Sequence, residues 1–332
     1  MLNPKLKLNP KIFSDDVEQV ATRKGFGAGL LAAGELDKNI VGLCADLTES
    51  TTMNLFADKF PARFIQVGVA EQNLATVASG MSAMGKIPFI SSYAMFSPGR
   101  NWEQIRTTIA YNDRKVVIVG SHSGVSVGPD GGTHQALEDI ALMRVMPNMD
   151  VINPCDSIEA KKATLAIAKT PRPAYLRLVR ANSPVVTTEE TPFELGKSEI
   201  FWMPDVGLAQ VGIIVTGALI HHALLAAKEL ETEGIKIKVM NLTTIKPIDI
   251  KSVVALAKEA GAIVTVEEHQ VMGGMGSMVA EVLAHNFPVP MEFVGVKDQF
   301  GQSGTPEELI KHYGMDKDSI KEAVKKVLSR KS

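Results

Sequence analysis

Cysteine is nearly absent. Cys44 and Cys155 are the only two, with no Cys-x-x-Cys and no histidine cluster beside them. That count excludes a disulfide framework and a zinc site of ordinary spacing, no metal ligand set is expected, and a reducing cytoplasm suits the composition. An excess of charge of one sign is missing too. Thirty-five basic and 37 acidic residues leave a formal charge of −2, so there is no electrostatic case for nucleic acid or a membrane surface. No apolar run approaches the roughly 18 residues of a membrane span. The start, Met1-Leu2-Asn3-Pro4-Lys5, lacks a signal-peptide core. Aromatics make up only 5% of the chain, so two standing close together call for a reason. Internal repeats and low-complexity segments are lacking.

What is present is apolar material in alternating patterns. At 45% hydrophobic over 332 residues, the chain can fill two cores of ordinary size. Short β-rich runs at 40–45, 63–67, 87–91, 116–121, 150–153 and 174–178 alternate with helical patterns, notably 102–111, 134–144 and 157–169. Ser14 offers an N-cap for a first helix that would run to Leu31 and Ala32 and stop at Gly34. Strand–helix alternation at this spacing predicts crossover connections and an α/β domain with a mostly parallel sheet flanked by helices. Composition changes after residue 181, where 182–197 reads as a linker. A second, smaller β/α series follows, with strands expected at 212–216, 237–241, 263–267 and 292–296. The expected division is therefore 12–181, a linker 182–197, and 198–332.

Two glycine-rich stretches invite a dinucleotide reading. Gly25-Phe26-Gly27-Ala28-Gly29 lies inside a helical pattern and follows no strand, which points to close helix packing. Gly273-Gly274-Met275-Gly276-Ser277 follows a strand and opens a helix, where an anion could sit; a structural turn is the expectation.

The most informative stretch is Arg63-Phe64-Ile65-Gln66-Val67-Gly68-Val69-Ala70-Glu71-Gln72-Asn73, then Phe89-Ile90-Ser91-Ser92-Tyr93-Ala94-Met95-Phe96. A strand passes to a helix spanning 70–84, closed by Gly85, which puts Glu71 at the carboxyl edge of a sheet, the usual ligand rim of an α/β fold. A glutamate there also complements the helix dipole. Val67, Val69, Leu74 and Val77 imply instead a carboxyl group against a dry wall, able to share a proton with a ligand nitrogen. Tyr93 and Phe96 read alone as core filling or as a stacking surface. His122, Asp130 and His134 lie in an irregular loop rich in glycine between a strand end and a helix start. One loop histidine is often an idle surface group; two with an aspartate at a sheet rim are less often idle.

Gly68-Val69-Ala70-Glu71-Gln72-Asn73 resembles the G-[IV]-x-E-[HQ] element of thiamine-diphosphate enzymes of the transketolase group. Ala21-Thr22-Arg23-Lys24 resembles their A-T-R-K, and Ala45-Asp46-Leu47-Thr48-Glu49-Ser50 their A-D-L-T-x-S. Ser121-His122-Ser123 through Gly128-Pro129-Asp130-Gly131-Gly132-Thr133-His134-Gln135 resembles T-H-D-S…G-E-D-G-P-T-H-Q. Tyr175-Leu176-Arg177-Leu178-Val179-Arg180 resembles the segment ending in a substrate arginine. The five matches stand in family order over 21–180, with looser similarity to the end.

The resemblance implies a thiamine-diphosphate site. Glu71 would hydrogen-bond the pyrimidine N1′ and favour the tautomer whose 4′-imino nitrogen takes the C2 proton. Tyr93 and Phe96 resemble the aromatics that sandwich the aminopyrimidine. His134 would contact the reacting hydroxyls of a ketose and shuttle a proton, and Asp130 would read the configuration of a hydroxyl. Arg23, Ser50, His122 and Arg180 resemble the set that holds a sugar phosphate, a task that suits planar guanidinium groups. Arg177, on the other face of its strand, would serve structure. There are departures: Gly131-Gly132 replaces Gly-Pro, Pro129 replaces an acidic residue, and Ala70 stands where many relatives carry arginine.

No Gly-Asp-Gly with a following asparagine occurs, so the segment that binds Mg²⁺ and the diphosphate is not found. The resemblance is therefore to the C-terminal section of a split transketolase. A separate N-terminal subunit would supply the metal and diphosphate site, most simply in an α2β2 assembly, and the reaction would move a two-carbon ketol unit between sugar phosphates. Deoxyxylulose-phosphate synthase, a 2-oxo-acid dehydrogenase beta subunit and a non-catalytic assembly partner are the rival readings.

Overall fold

The computed structural model describes residues 1–331. The apolar runs of the first half pair into a seven-stranded sheet. Its order is Thr244–Lys246, Asp150–Ile152, Ala174–Arg177, Val117–Ser121, Ile87–Tyr93, Ile40–Cys44 and Phe64–Gln66. Six of the seven are parallel; Thr244–Lys246 alone runs antiparallel. That edge strand comes from the second half of the chain, and only a tertiary pairing could place it there. A five-stranded sheet follows, ordered Met291–Val296, Ile263–Gln270, Val211–Val215, Ile237–Asn241 and Glu199–Trp202, with the last strand antiparallel. Central strands such as Val117–Ser121 and Val211–Val215 are buried at every position, as sheets covered on both faces require.

Several expected boundaries move, each for a local reason. The first helix runs Thr22–Leu36 behind Ala21, which makes no side-chain cap. Ser14 instead bonds Asp16 within a turn. Gly34 lies inside the helix, where an added Cβ would stand 2.5 Å from the Phe56 ring; the glycine serves packing and does not stop the helix. The same holds for Gly25, whose Cβ would meet the Ser157 carbonyl oxygen at 1.8 Å, so the helices Thr22–Leu36 and Ser157–Lys169 touch through glycine. The pattern over 102–111 is α-helical only at Trp102–Gln104, then continues as a π turn through Ile105–Ala110. The pattern over 134–144 becomes helix only at Asp139–Arg144, because residues 134–138 are drawn out to pair elsewhere: the Gly124 N–H donates to the Ala136 carbonyl at 2.9 Å.

The segment 182–197 is a packed strap. Ser183–Pro184 pairs with Gln19–Val20, Val185 and Val186 are buried, and Thr187 donates to Asp156 at 2.8 Å. At Gly273–Gly276 the helix start is filled from within: Glu267 accepts from the N–H groups of Met275 (2.6 Å) and Gly276 (2.8 Å). Arg177 is a structural residue. It is 1% exposed and paired with Asp139 at 2.8 Å, and it donates to the Glu268 carbonyl at 2.8 Å.

Glu159 joins the two sheets' connections. It accepts from Asn241 (2.9 Å), Thr243 (2.8 Å) and the Cys155 N–H (2.7 Å). Burial first, and then the Asp156 carboxylate, push it up to about 7 from an ordinary 4.5. The folded chain therefore keeps this proton to higher pH than the unfolded chain does. The contribution to stability is fully present below pH ~4.5 and is lost as pH rises through ~7. The melting temperature is expected to fall between pH ~5 and pH ~7, and that of Glu159→Gln, which cannot titrate, should fall less steeply. Glu267, shifted the same way to about 7, keeps the variant's slope from vanishing. Identical slopes by calorimetry would remove Glu159 from this role.

Candidate active site

The carboxyl edge of the seven-stranded sheet gathers most of the residues singled out by sequence. After Phe64–Gln66 the chain turns at Gly68 (φ +72°) and enters the helix Glu71–Ala83 at Glu71 itself. Glu71 is 4% exposed. It lines a cleft of about 460 Å³ with Val69, Ala70, Gln72, Asn73 and Arg100. The Arg100 guanidinium stands 3.3 Å from its carboxylate and 4.2 Å from the centre of the Phe96 ring. Asn101 donates to the Glu71 carbonyl at 2.9 Å and fixes the start of the helix.

Tyr93 ends its strand and Phe96 lies in the turn beyond it. Their rings are 17° from parallel with centroids 6.1 Å apart. A ring held between two others needs about 3.5 Å on each side, so this spacing is about 1 Å short of a sandwich. The two ring planes are near parallel, without room for a third ring between them. His122 covers the other face of Tyr93 at 3.8 Å, and His134 meets Phe96 edge-on at 5.4 Å and Tyr93 at 6.3 Å. His122 adopts φ +56°, a conformation costing about 1–2 kcal/mol for a residue with a side chain, and the Ser121 hydroxyl lies 2.9 Å from its Nδ1. Burial first, then Arg23, Arg180 and His134, lower the imidazole to about 3. It is neutral at ordinary pH.

Arg23, Ser50 and Arg180 converge beside that stack. Arg23 donates to the Ser50 carbonyl at 2.8 Å and to the Arg180 carbonyl at 3.3 Å. Burial first, and then Arg180, lower the Arg23 guanidinium. Neither arginine has a carboxylate partner among the described residues. Arg180 is not on a strand, as Ala174–Arg177 ends before it; it follows in the loop and donates to the Val127 carbonyl at 2.9 Å. Asp130 is the residue the fold leaves apart. It is exposed and makes no hydrogen bond to any of the others. His134 is held by Thr133, whose hydroxyl lies 3.0 Å from its Nδ1.

Sequence reasoning missed Arg100 and Asn101. They lie beyond a non-repeating turn, where no periodicity marks them, and only the return of the chain toward Glu71 shows what they do. No group of three or more His, Cys, Asp or Glu suited to a metal occurs among the described residues. Within the same residues no helix is long and apolar enough to cross a membrane.

Comparison with known proteins extends the resemblance. Residues 18–185 match the family model for the transketolase pyrimidine binding domain, and residues 205–320 that for the transketolase C-terminal domain. The chain is 42% identical to a putative transketolase C-terminal section from Methanocaldococcus jannaschii, over 90% of this chain and 93% of that one. It is 39% identical to a 6-deoxy-6-sulfo-D-fructose transketolase subunit from a Clostridium species, over 91% and 93%. A solved structure described as a split gene transketolase, inactive beta4 tetramer, superposes with a TM-score of 0.87 at 42% identity, covering 94% of this chain and 100% of that chain.

Proposed function

Because the chain belongs to the transketolase family, over both its pyrimidine-binding and C-terminal domains, we propose that it is the C-terminal subunit of a split transketolase. It transfers a two-carbon ketol unit from a ketose to an aldose, each with an anionic end. Thiamine diphosphate, the cofactor of the family, supplies an electron sink when bound. The residues present fit its pyrimidine half: a buried carboxyl group lines the cleft, and the near-parallel Tyr93 and Phe96 rings stand behind Arg100. Glu71 holds and exchanges a proton at N1′, and Tyr93 and Phe96 fix the plane of the ring. A separate N-terminal subunit brings Mg²⁺ and the diphosphate contacts, in an assembly built from two copies of each chain.

His134, beside the Phe96 ring, gives and takes a proton at the substrate hydroxyls. Asp130 reads the configuration of a hydroxyl from the loop next to it. Arg23, Ser50, His122 and Arg180 hold the anionic end of the sugar, with His122 acting as a neutral hydrogen-bonding group. The observation that carries this reading is the pair of arginines without carboxylates, set against the Tyr93–His122 stack. Two neighbouring cations in a partly buried place are stabilised by a bound anion. That favours a sugar phosphate over the uncharged end of a 2-oxo acid, and so argues against the dehydrogenase beta subunit. It bears less on a deoxyxylulose-phosphate synthase, against which His134 stands. A purely structural partner would have no use for a buried glutamate at the rim of a cleft. The related subunit named for 6-deoxy-6-sulfo-D-fructose suggests that the end group can be a sulfonate as well as a phosphate.

Arg180→Ala tests this. Loss of a charge-assisted contact to phosphate is worth about 2–4 kcal/mol, so kcat/KM for a phosphorylated ketose should fall roughly 30- to 1000-fold in the assembled enzyme. A ketose without the phosphate should lose far less. Equal losses on both would make Arg180 structural and remove the sugar-phosphate reading.

A further inference from the structure

We propose that the C-terminal domain acts on the reaction by holding the loop 124–135, with Gln135 as the positioning residue that carries the connection. The inference rests on the reading of His134 given above and assigns the second domain a part in it. Gln135 is 2% exposed, next in sequence to His134. Its Nε2 donates to the Val125 carbonyl at 3.1 Å and to the Gly128 carbonyl at 3.4 Å, both in the loop itself. It also donates to the Gln302 carbonyl of the C-terminal domain at 2.9 Å. One amide thus ties both limbs of the loop to the other domain. The amide cannot turn over, because its oxygen would then face three carbonyl oxygens.

The glycines of the loop are explained by the same contact. An added Cβ at Gly132 would stand 2.5 Å from the Gly301 carbonyl oxygen, one at Gly131 2.7 Å from the Ser303 hydroxyl, and one at Gly128 3.3 Å from the Gly304 carbonyl oxygen. From the other side, a Cβ at Gly301 would be 1.7 Å from Gln135 Oε1. At the start of the loop, Glu268 of the C-terminal domain accepts from the Ser126 N–H at 2.6 Å, and a Cβ at Gly124 would meet that carboxylate at 2.2 Å. The C-terminal domain thus meets the loop that carries Asp130 and His134 at Gly124, Ser126, Gly128, Gly131, Gly132 and Gln135. The Gly131-Gly132 pair belongs to this fit: side chains there would push the two domains apart.

Glu71, by contrast, takes its contacts from Arg100 and Asn101 of the first domain. The clasp therefore bears first on the loop that carries His134 and reaches Glu71 only through Phe96 and Arg100, which gives a readout that general damage would not produce. In the assembled enzyme, Gln135→Leu should lower kcat/KM for ketol transfer on the order of 10- to 100-fold, the loss typical of about 1 Å of misplacement. Hydrogen–deuterium exchange at C2 of the bound cofactor should stay within about twofold of wild type, as the direct contacts of Glu71 are untouched. Gly301→Ala, far from the cofactor in sequence, should reproduce the same split if Gln135→Leu folds poorly. In the chain alone, amide exchange should quicken together at 124–137 and 299–304 in either variant.

Transfer at the wild-type rate in both variants, or equal loss of transfer and C2 exchange, would overturn the proposal. His134→Ala separates it from the reading on which it rests. Loss of transfer in His134→Ala with none in Gln135→Leu or Gly301→Ala overturns the clasp. Loss in the clasp variants with none in His134→Ala overturns the role of His134 and leaves the clasp standing.

Discussion

Glu71→Gln is expected to fold as the wild type does and to slow C2 hydrogen–deuterium exchange of the bound cofactor by a factor on the order of 10² to 10⁴, the range for loss of an essential proton-transfer partner. The two side chains are nearly isosteric, and the Asn101 contact is to the Glu71 backbone, which the substitution leaves in place. The salt link to Arg100 is lost, but Arg100 is half exposed and keeps its contact with water. Glutamine can still accept a hydrogen bond; it cannot take or return a proton. Folding should therefore show a small change and exchange a large one. A wild-type exchange rate in the assembled mutant would take Glu71 out of the proton path and leave it as a helix-dipole residue.

The second large effect is assembly. The chain alone should show no measurable ketol transfer and should bind thiamine diphosphate weakly, on the reading that the Gly-Asp-Gly and asparagine segment for the metal and diphosphate comes from another subunit. Addition of an N-terminal subunit with Mg²⁺ and cofactor should bring turnover to the range of ordinary enzymes, about 1–10³ s⁻¹. Sedimentation of the mixture should give an assembly with both chains, and robust transfer by the purified chain alone would refute the split arrangement.

Burial follows hydrophobic pattern, so the strands Ile237–Asn241 and Val117–Ser121 and the helix Ser157–Lys169 lie within a residue of where their apolar spacing puts them. Glu71, Tyr93, His122, His134 and Arg180 were legible because each belongs to a short string whose residue types have a chemical use together. Helix ends were less legible. Ser14 and Gly34 carry local signals of starting and stopping that packing overrides, Gly34 because the Phe56 ring occupies the space of its Cβ.

Sequence by itself therefore determined the α/β class and the parallel sheet, and it singled out most of the residues that meet at the sheet's carboxyl edge, since these depend on periodicity and on side-chain chemistry within a few positions. Tertiary structure alone decided the rest. It placed Thr244–Lys246 on the edge of the first sheet, brought Arg100 to Glu71, set the Tyr93 and Phe96 rings near parallel, and closed the C-terminal domain over the His134 loop through Gln135. Each of these joins residues far apart in the chain or fixes the orientation of side chains near in it. Their free energy comes from contacts that exist only once both backbones are in place, and no local pattern records such a contact.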